Sequence, residues 1–368
     1  MKVLLAEKLL VEIMKWTLDE VSIERPLLQA MANLKYDEYQ QFSPGIRFIE
    51  SLAQWLEQFE TKEERKAAYE FIKKHLIFIS SSQIAHLVNL SFSMYIKPIL
   101  IEKTGTSLNV NKHLVKKITD SEEYKNACRK SLFIGLSDGS RIDQLRRFAH
   151  LDNEQILTSY YIDEEKISDI KGELQNSCTS DKFTSIFLID DFTASGTSYA
   201  RVEGEEFKGK ILKLFNKIYN SPKKDKAHFS DLVEKNELSI HIIFYVATED
   251  AISNIKKVIE DYKNKYIKES ELKYDIHAVQ IIKNQTPIAA KAESNFISII
   301  KQNRYFDESI IDKHYKKGKC DEPYFGFNEC ALPLILNHNT PNNSFPILWF
   351  SDDDKVKGLF PRVKRHKE

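Results

Sequence analysis

Charge of one sign is what this sequence lacks first: 54 Lys and Arg are matched by 54 Asp and Glu. A balanced chain has no overall field to hold nucleic acid by counterion release, so direct nucleic-acid binding is not expected. Cysteine is scarce too. The four present, Cys128, Cys178, Cys320 and Cys330, make no Cys-x-x-Cys pair, which excludes a zinc module and a disulfide framework and reads as reduced thiols of a cytoplasmic protein. A long apolar run is also missing. Glu7 and Lys8 interrupt the opening apolar residues too soon for a signal peptide, and no stretch approaches the roughly 20 apolar residues of a membrane span. The expectation is a cytoplasmic location with no membrane partner.

What is present is a globular composition, 42% hydrophobic and 29% charged, enough for a sizeable core. The 368 residues suit about two domains. Up to about residue 100, apolar residues recur at helical spacing, as in Leu5, Leu9, Ile13 and Trp16, then Ile46, Ile49, Leu52 and Leu56. About five helices are expected before Pro98, with breaks at Ser43-Pro44-Gly45 and at a Thr61/Glu64 capping box. The polar stretch 103–111 reads as a connection. Beyond it, apolar runs at 132–136, 186–189, 240–247 and 276–282 alternate with helical patterns at 138–150, 199–219 and 249–266. That alternation predicts an α/β fold with a buried parallel sheet. Residues 222–226 read as a charged surface insertion, and after Gln302 the chain turns loop-rich. The expected layout is an N-terminal helical region 1–110, an α/β core 111–302 and a C-terminal cover 303–368 packed on that core.

The most informative segment is the apolar run ending at Ile189, followed by Asp190 and Asp191, then Phe192, Thr193, Ala194, Ser195, Gly196, Thr197 and Ser198. Open parallel sheets bind ligands at the carboxyl ends of their strands, where these two acids fall. The small residues that follow predict a turn into a helix, whose backbone N–H groups and hydroxyls surround a phosphate. The acids then accept hydrogen bonds from ribose hydroxyls. The alternative is an acid pair that only caps a strand-to-helix turn facing solvent.

The pattern resembles the phosphoribosyl-pyrophosphate motif of type I phosphoribosyltransferases, and the resemblance covers roughly 132–282. It implies a Rossmann-like core, Asp190 and Asp191 as catalytic residues on the ribose hydroxyls, and Thr193, Ala194, Ser195, Gly196, Thr197 and Ser198 on the 5-phosphate. It also implies Mg²⁺ held mainly by phosphoribosyl pyrophosphate, with Asp190 and Asp191 as the protein groups nearest to it. The sequence departs from the family pattern at Thr197, in place of a second glycine, and at Ser198, in place of the final threonine.

The family's pyrophosphate loop matches Ser137, Asp138, Gly139, Ser140 and Arg141, where a glycine, two hydroxyls and a guanidinium can face an anion. A capped helix start is the alternative reading. Residues 153–165, with Tyr160 and Tyr161, stand where the family carries a mobile lid. In the tail, His338 and Asn339 lie in an Asn-rich turn between apolar runs 331–336 and 345–350. That turn is expected to fold over the sheet and cover the ligand. The tail also resembles the closing segment of phosphoribosyltransferase-like proteins of bacterial conflict and anti-phage systems, retron-associated effectors among them. This implies a defence role beside a protein partner such as a reverse transcriptase or a nucleic-acid-binding subunit. The basic end, Lys355, Lys357, Arg362, Lys364, Arg365 and Lys367, reads as a solvated tail. A non-catalytic nucleotide sensor with the same fold is the alternative function.

Overall fold

The computed structural model describes residues 3–178, 180–220, 228–267, 272–312, 315–351 and 356–362. The insertion expected at 222–226, and Lys355, Lys364, Arg365 and Lys367, lie outside the described residues. The strands are Ile77–Ile79 (β1), Ser131–Gly135 (β2), Ile156–Leu157 (β3), Ser185–Thr193 (β4), Arg201–Glu203 (β5), Glu206–Lys208 (β6), Ser239–Thr248 (β7), Lys273–Ile282 (β8) and Leu334–Leu336 (β9). Two compact units divide the chain, Ile84–Lys283 and a second built from both ends, Met1–Gln83 with Asn284–Glu368. Sequence reading placed the boundaries instead at 110 and 302.

The contiguous unit is the expected α/β fold. Its five-stranded sheet runs β3-β2-β4-β7-β8 with every neighbouring pair parallel. Residues such as Leu132, Ile134, Ile186, Leu188, Ile240 and Ile242 are wholly buried. A sheet covered on both faces needs apolar side chains on both, which is why these strands read as continuous apolar runs. The chain leaves β2 for the edge strand β3, then returns to the other side of β2 as β4 before moving on to β7 and β8. Connections from β2 and β4 therefore diverge. Such a switch point opens a crevice at the carboxyl ends of the two strands.

Two expectations are corrected in this unit. The helix read over 199–219 begins only at Lys210, because an antiparallel hairpin of β5 and β6 comes first. The stretch 103–111 is largely helix, Lys97–Ser107, joined to Ser81–Ser91 through a π turn at Phe92–Ile96. Pro98 lacks an N–H to continue the α pattern, and the wider turn absorbs that defect. The combined helix Ser81–Ser107 is long and apolar enough, by length and composition, to cross a membrane, which sequence reading had not anticipated. Within its own unit Lys103 Nζ donates to Thr184 O at 2.8 Å and to Ser185 Oγ at 2.8 Å. Burial pushes that amine down to about 8.

The unit made from the chain ends is mainly helical on its N-terminal side. Its helices are Val3–Met14, Leu18–Leu34, Phe48–Glu57 and Lys62–His75. The Thr61/Glu64 capping box forms as read, and Thr17 with Glu20 forms a second. The described part of the tail belongs to the terminal unit. It completes the helical core: β9 pairs in parallel with β1, and Phe345, Ile347, Leu348 and Phe360 are buried in one cluster with Trp55, Phe71 and Phe78. Trp55 Nε1 donates to Ile347 O at 2.8 Å, and Ser51 Oγ to Leu359 O at 2.6 Å. Apolar spacing told that the tail needed burial, but it carries no information about which partner buries it.

Candidate functional site

The loops after β2 and β4 face one another across the switch point. Ser137 Oγ donates to Asp190 Oδ1. A Cβ added at Gly139 would stand 2.3 Å from Asp191 Oδ2, so any larger residue there would displace the Asp191 carboxylate. Beneath them the buried Tyr245 hydroxyl donates to Ser140 O. The two segments singled out by sequence are thus brought together. Asp138 is exposed between them.

Asp190 is fully buried and its carboxylate is saturated by the protein. Oδ1 accepts from Ser137 Oγ and from the Asp191 amide at 3.1 Å. Oδ2 accepts from the Tyr199 hydroxyl at 2.8 Å and from Lys210 Nζ at 3.1 Å. A carboxylate offers about four lone-pair sites, so these donors fill it. Burial, helped by the Asp191 charge, pushes Asp190 above the usual carboxylate range, against the pull of Lys210, Ser137 and Tyr199. Burial and the two carboxylates push the Tyr199 phenol well above its usual value, so it stays a donor. Asp191 is only half-buried and accepts from the Phe192 amide at 2.8 Å. Of the two acids read as ribose ligands, Asp191 is the less buried.

In the loop from Thr193 to Ser198, residues 193–196 are buried and Ser198 is exposed. The loop's carbonyls turn toward neighbouring elements: Ala194 O accepts from Thr248 Oγ1 at 2.6 Å, Ser195 O from Asn254 Nδ2 at 3.3 Å, and Thr197 O from Arg201 Nη1 at 3.3 Å. Gly196 has φ +76, and an added Cβ would lie 2.8 Å from Ile255 Cγ1. The amides of Ser195, Gly196 and Ser198 make no hydrogen bond among the described residues. Thr197 and Ser195 hydroxyls bond one another. The turn does not lead straight into a helix as read. Helix Lys210–Tyr219 starts after the hairpin, and its Lys210 and Ile211 amides are taken by Ser198 O and Tyr199 O.

Arg141 holds a left-handed conformation, φ +45, just ahead of helix Ile142–Ala149. Its Nε is buried without a hydrogen-bond partner among the described residues. Strain of this kind in a non-glycine residue costs of order 1–3 kcal/mol and gathers at ligand sites. The family model PRTase-CE matches residues 52–362. The chain belongs to the PRTase-CE family. This phosphoribosyltransferase-like family covers both loops and most of the chain. No curated protein and no solved structure matches the chain.

Residues around the crevice that sequence reading missed are Tyr199, Lys210, Tyr245, Thr248 and Asn254. Lys210 had a signal. Gly204, φ +64, interrupts the flanking Arg201–Glu203 and Glu206–Lys208 runs, a hairpin mark that returns the chain to the loop. His338 and Asn339 belong to the other unit, in the turn after β9, where Gln41 Nε2 donates to His338 O and the Asn339 amide to Leu336 O. Of the segment read as a lid, Ile156–Leu157 is the edge strand β3, Tyr160 is buried in the sheet's core, and Tyr161 is exposed. A resident metal does not fit this donor set. Asp190 has no oxygen to spare, Lys210 lies against it, and no group of three or more His, Cys, Asp or Glu among the described residues could hold an ion.

Proposed function

We propose that the crevice between the β2 and β4 loops binds the 5-phosphate of a phosphoribosyl compound, phosphoribosyl pyrophosphate or a related nucleotide. The observation that carries this reading is the set of unpartnered amides at Ser195, Gly196 and Ser198 beside the positive-φ Gly196. Backbone N–H groups converging in a turn attract an anion, and each charge-assisted bond contributes about 1.5–3 kcal/mol. Asp191 accepts from ribose. Arg141, with its strained backbone and buried Nε, takes the pyrophosphate or its equivalent. The chemistry this arrangement suits is displacement at the anomeric carbon, in which an acceptor nucleophile forms the new bond as pyrophosphate leaves with the electrons of the broken C–O bond, and the carbon carries oxocarbenium character stabilised by negative charge at Asp191. Calorimetric titration with phosphoribosyl pyrophosphate and with ribose 5-phosphate tests the reading. Saturable binding of both supports it, and binding of neither overturns it.

A non-catalytic nucleotide sensor is favoured by one observation: every oxygen of Asp190 is engaged by the protein. Pyrophosphate release in the presence of nucleobases separates transfer from sensing. The defence role rests on the resemblance of the tail to anti-phage phosphoribosyltransferase-like proteins, with a reverse transcriptase or nucleic-acid-binding subunit as the partner class. Its test is plaque formation on cells expressing the wild-type chain against cells expressing the chain with Asp191→Asn. Equal phage yield removes the site from defence.

A further inference from the structure

We propose that Lys210 supplies at Asp190 the positive charge a divalent cation would otherwise bring, so that the crevice takes its 5-phosphorylated sugar without a metal. The inference rests on the phosphoribosyl reading of the site and deepens it. Three observations carry it.

The first is placement. Lys210 Nζ is 3.1 Å from Asp190 Oδ2 and 4.9 Å from the centre of the Tyr199 ring, and Tyr199 holds the same oxygen. The cation is seated between an acid and an aromatic face, both buried. The second is how the chain delivers it. The β5–β6 hairpin carries the backbone out and back, and Gly209, φ +125, then passes so close to Tyr199 O that an added Cβ would stand 2.3 Å from it. Lys210 follows at once, its amide bonded to Ser198 O of the phosphate loop. The third is that a lysine in the first turn of a helix is poorly placed against the helix dipole, and helix Lys210–Tyr219 has no acid in that turn. The position gains nothing for the helix itself; it is explained by Asp190.

With Lys210 and Tyr199 in place, a divalent ion near Asp190 would meet a like charge and a filled oxygen. The crevice thus keeps one acid, Asp191, for sugar hydroxyls and one neutralised acid, Asp190, as the post that holds Ser137 and the two loops together. Lys210 is therefore a positioning residue, acting through Asp190.

The test is calorimetry of the full chain with phosphoribosyl pyrophosphate, in magnesium and in EDTA. Affinities within about threefold of one another support the inference. Binding that needs magnesium overturns the inference and leaves the phosphoribosyl reading standing, whereas no binding in either condition overturns both. Lys210→Met should lower affinity in EDTA by at least about tenfold and regain most of it with magnesium, while Lys210→Arg keeps metal-free binding. Equal affinity of folded Lys210→Met and wild type in EDTA also overturns the proposal. Should Lys210→Met prove unfolded, the wild-type comparison decides alone.

Discussion

The two units reach stability by opposite routes. The α/β unit is one continuous stretch, Ile84–Lys283, whose strands pair with strands close by in sequence. The terminal unit is closed by contacts across most of the chain: Ile77 pairs with Leu334, Phe78 with Ile335 and Ile79 with Leu336. Tyr39 OH lies 2.9 Å from Thr340 Oγ1 and donates to Pro361 O at 2.9 Å, with Phe360 O 3.2 Å away. The first kind of unit can be read along the chain, while the second exists only once both ends are present. Closing the longer loop costs more chain entropy, though the cost grows slowly with length.

Removing everything after Asn328 breaks the comparison most severely. It deletes Ile335, Phe345, Ile347, Leu348, Leu359 and Phe360 from one core. At about 1.5–3 kcal/mol for each large apolar side chain, the loss exceeds most of a domain's stability. Hydrogen exchange read by mass spectrometry should show Phe48–Glu57 and Lys62–His75 exchanging freely, with β2, β4 and β7 still protected. Loss of protection in both units together would show that the division into independent units is wrong.

A paired glycine experiment sharpens it. Gly209→Ala and Gly326→Ala each force a side chain onto positive φ, with the added Cβ 2.3 Å from Tyr199 O in one and 2.5 Å from Ser344 O in the other. Each should cost several kcal/mol, of order 2–4. Exchange protection should fall in the α/β unit for the first and in the terminal unit for the second. Gly209→Ala should also weaken ribose 5-phosphate binding through Lys210, and Gly326→Ala should not.

Acid should distinguish the units less strongly. Burial would raise Asp275, but hydrogen bonds from His241 and His277 outweigh it and hold the carboxyl well below its usual range. A depressed folded-state pKa contributes stability above the unfolded value of about 3.9, lost as pH falls through the folded value. Wild type should therefore lose melting temperature more steeply than Asp275→Asn below about pH 4, with the difference confined to α/β-unit probes. Parallel acid curves for the two proteins would remove this network as a contributor.

The smallest effect on the fold is at the crevice itself. Asp191→Asn, at a half-buried acid, should shift melting by no more than a degree or two, since surface-like substitutions stay within about 0.5 kcal/mol, yet weaken ribose 5-phosphate by about tenfold. Unchanged affinity would place the sugar elsewhere.

Much of the α/β unit was legible because its signals are local. A strand buried on both faces must be apolar throughout, so 186–189 and 240–247 announced themselves, and Glu249–Tyr266 was bounded by its own cap at Thr248. The pairing of acids with a small-residue loop also marked the carboxyl end of β4. Composition and spacing by themselves determined the α/β class, the position of the acid pair and its small-residue loop, and the need of the tail for burial. Only tertiary structure decided that the tail pairs with β1, that a hairpin delivers Lys210 to Asp190, and that Asp190 is consumed by Ser137, Tyr199 and Lys210 while Asp191 is only half-buried. The physical reason is common to all three. Periodicity records which face of an element is buried, whereas the identity of the group on the other side of that face depends on contacts distant along the chain.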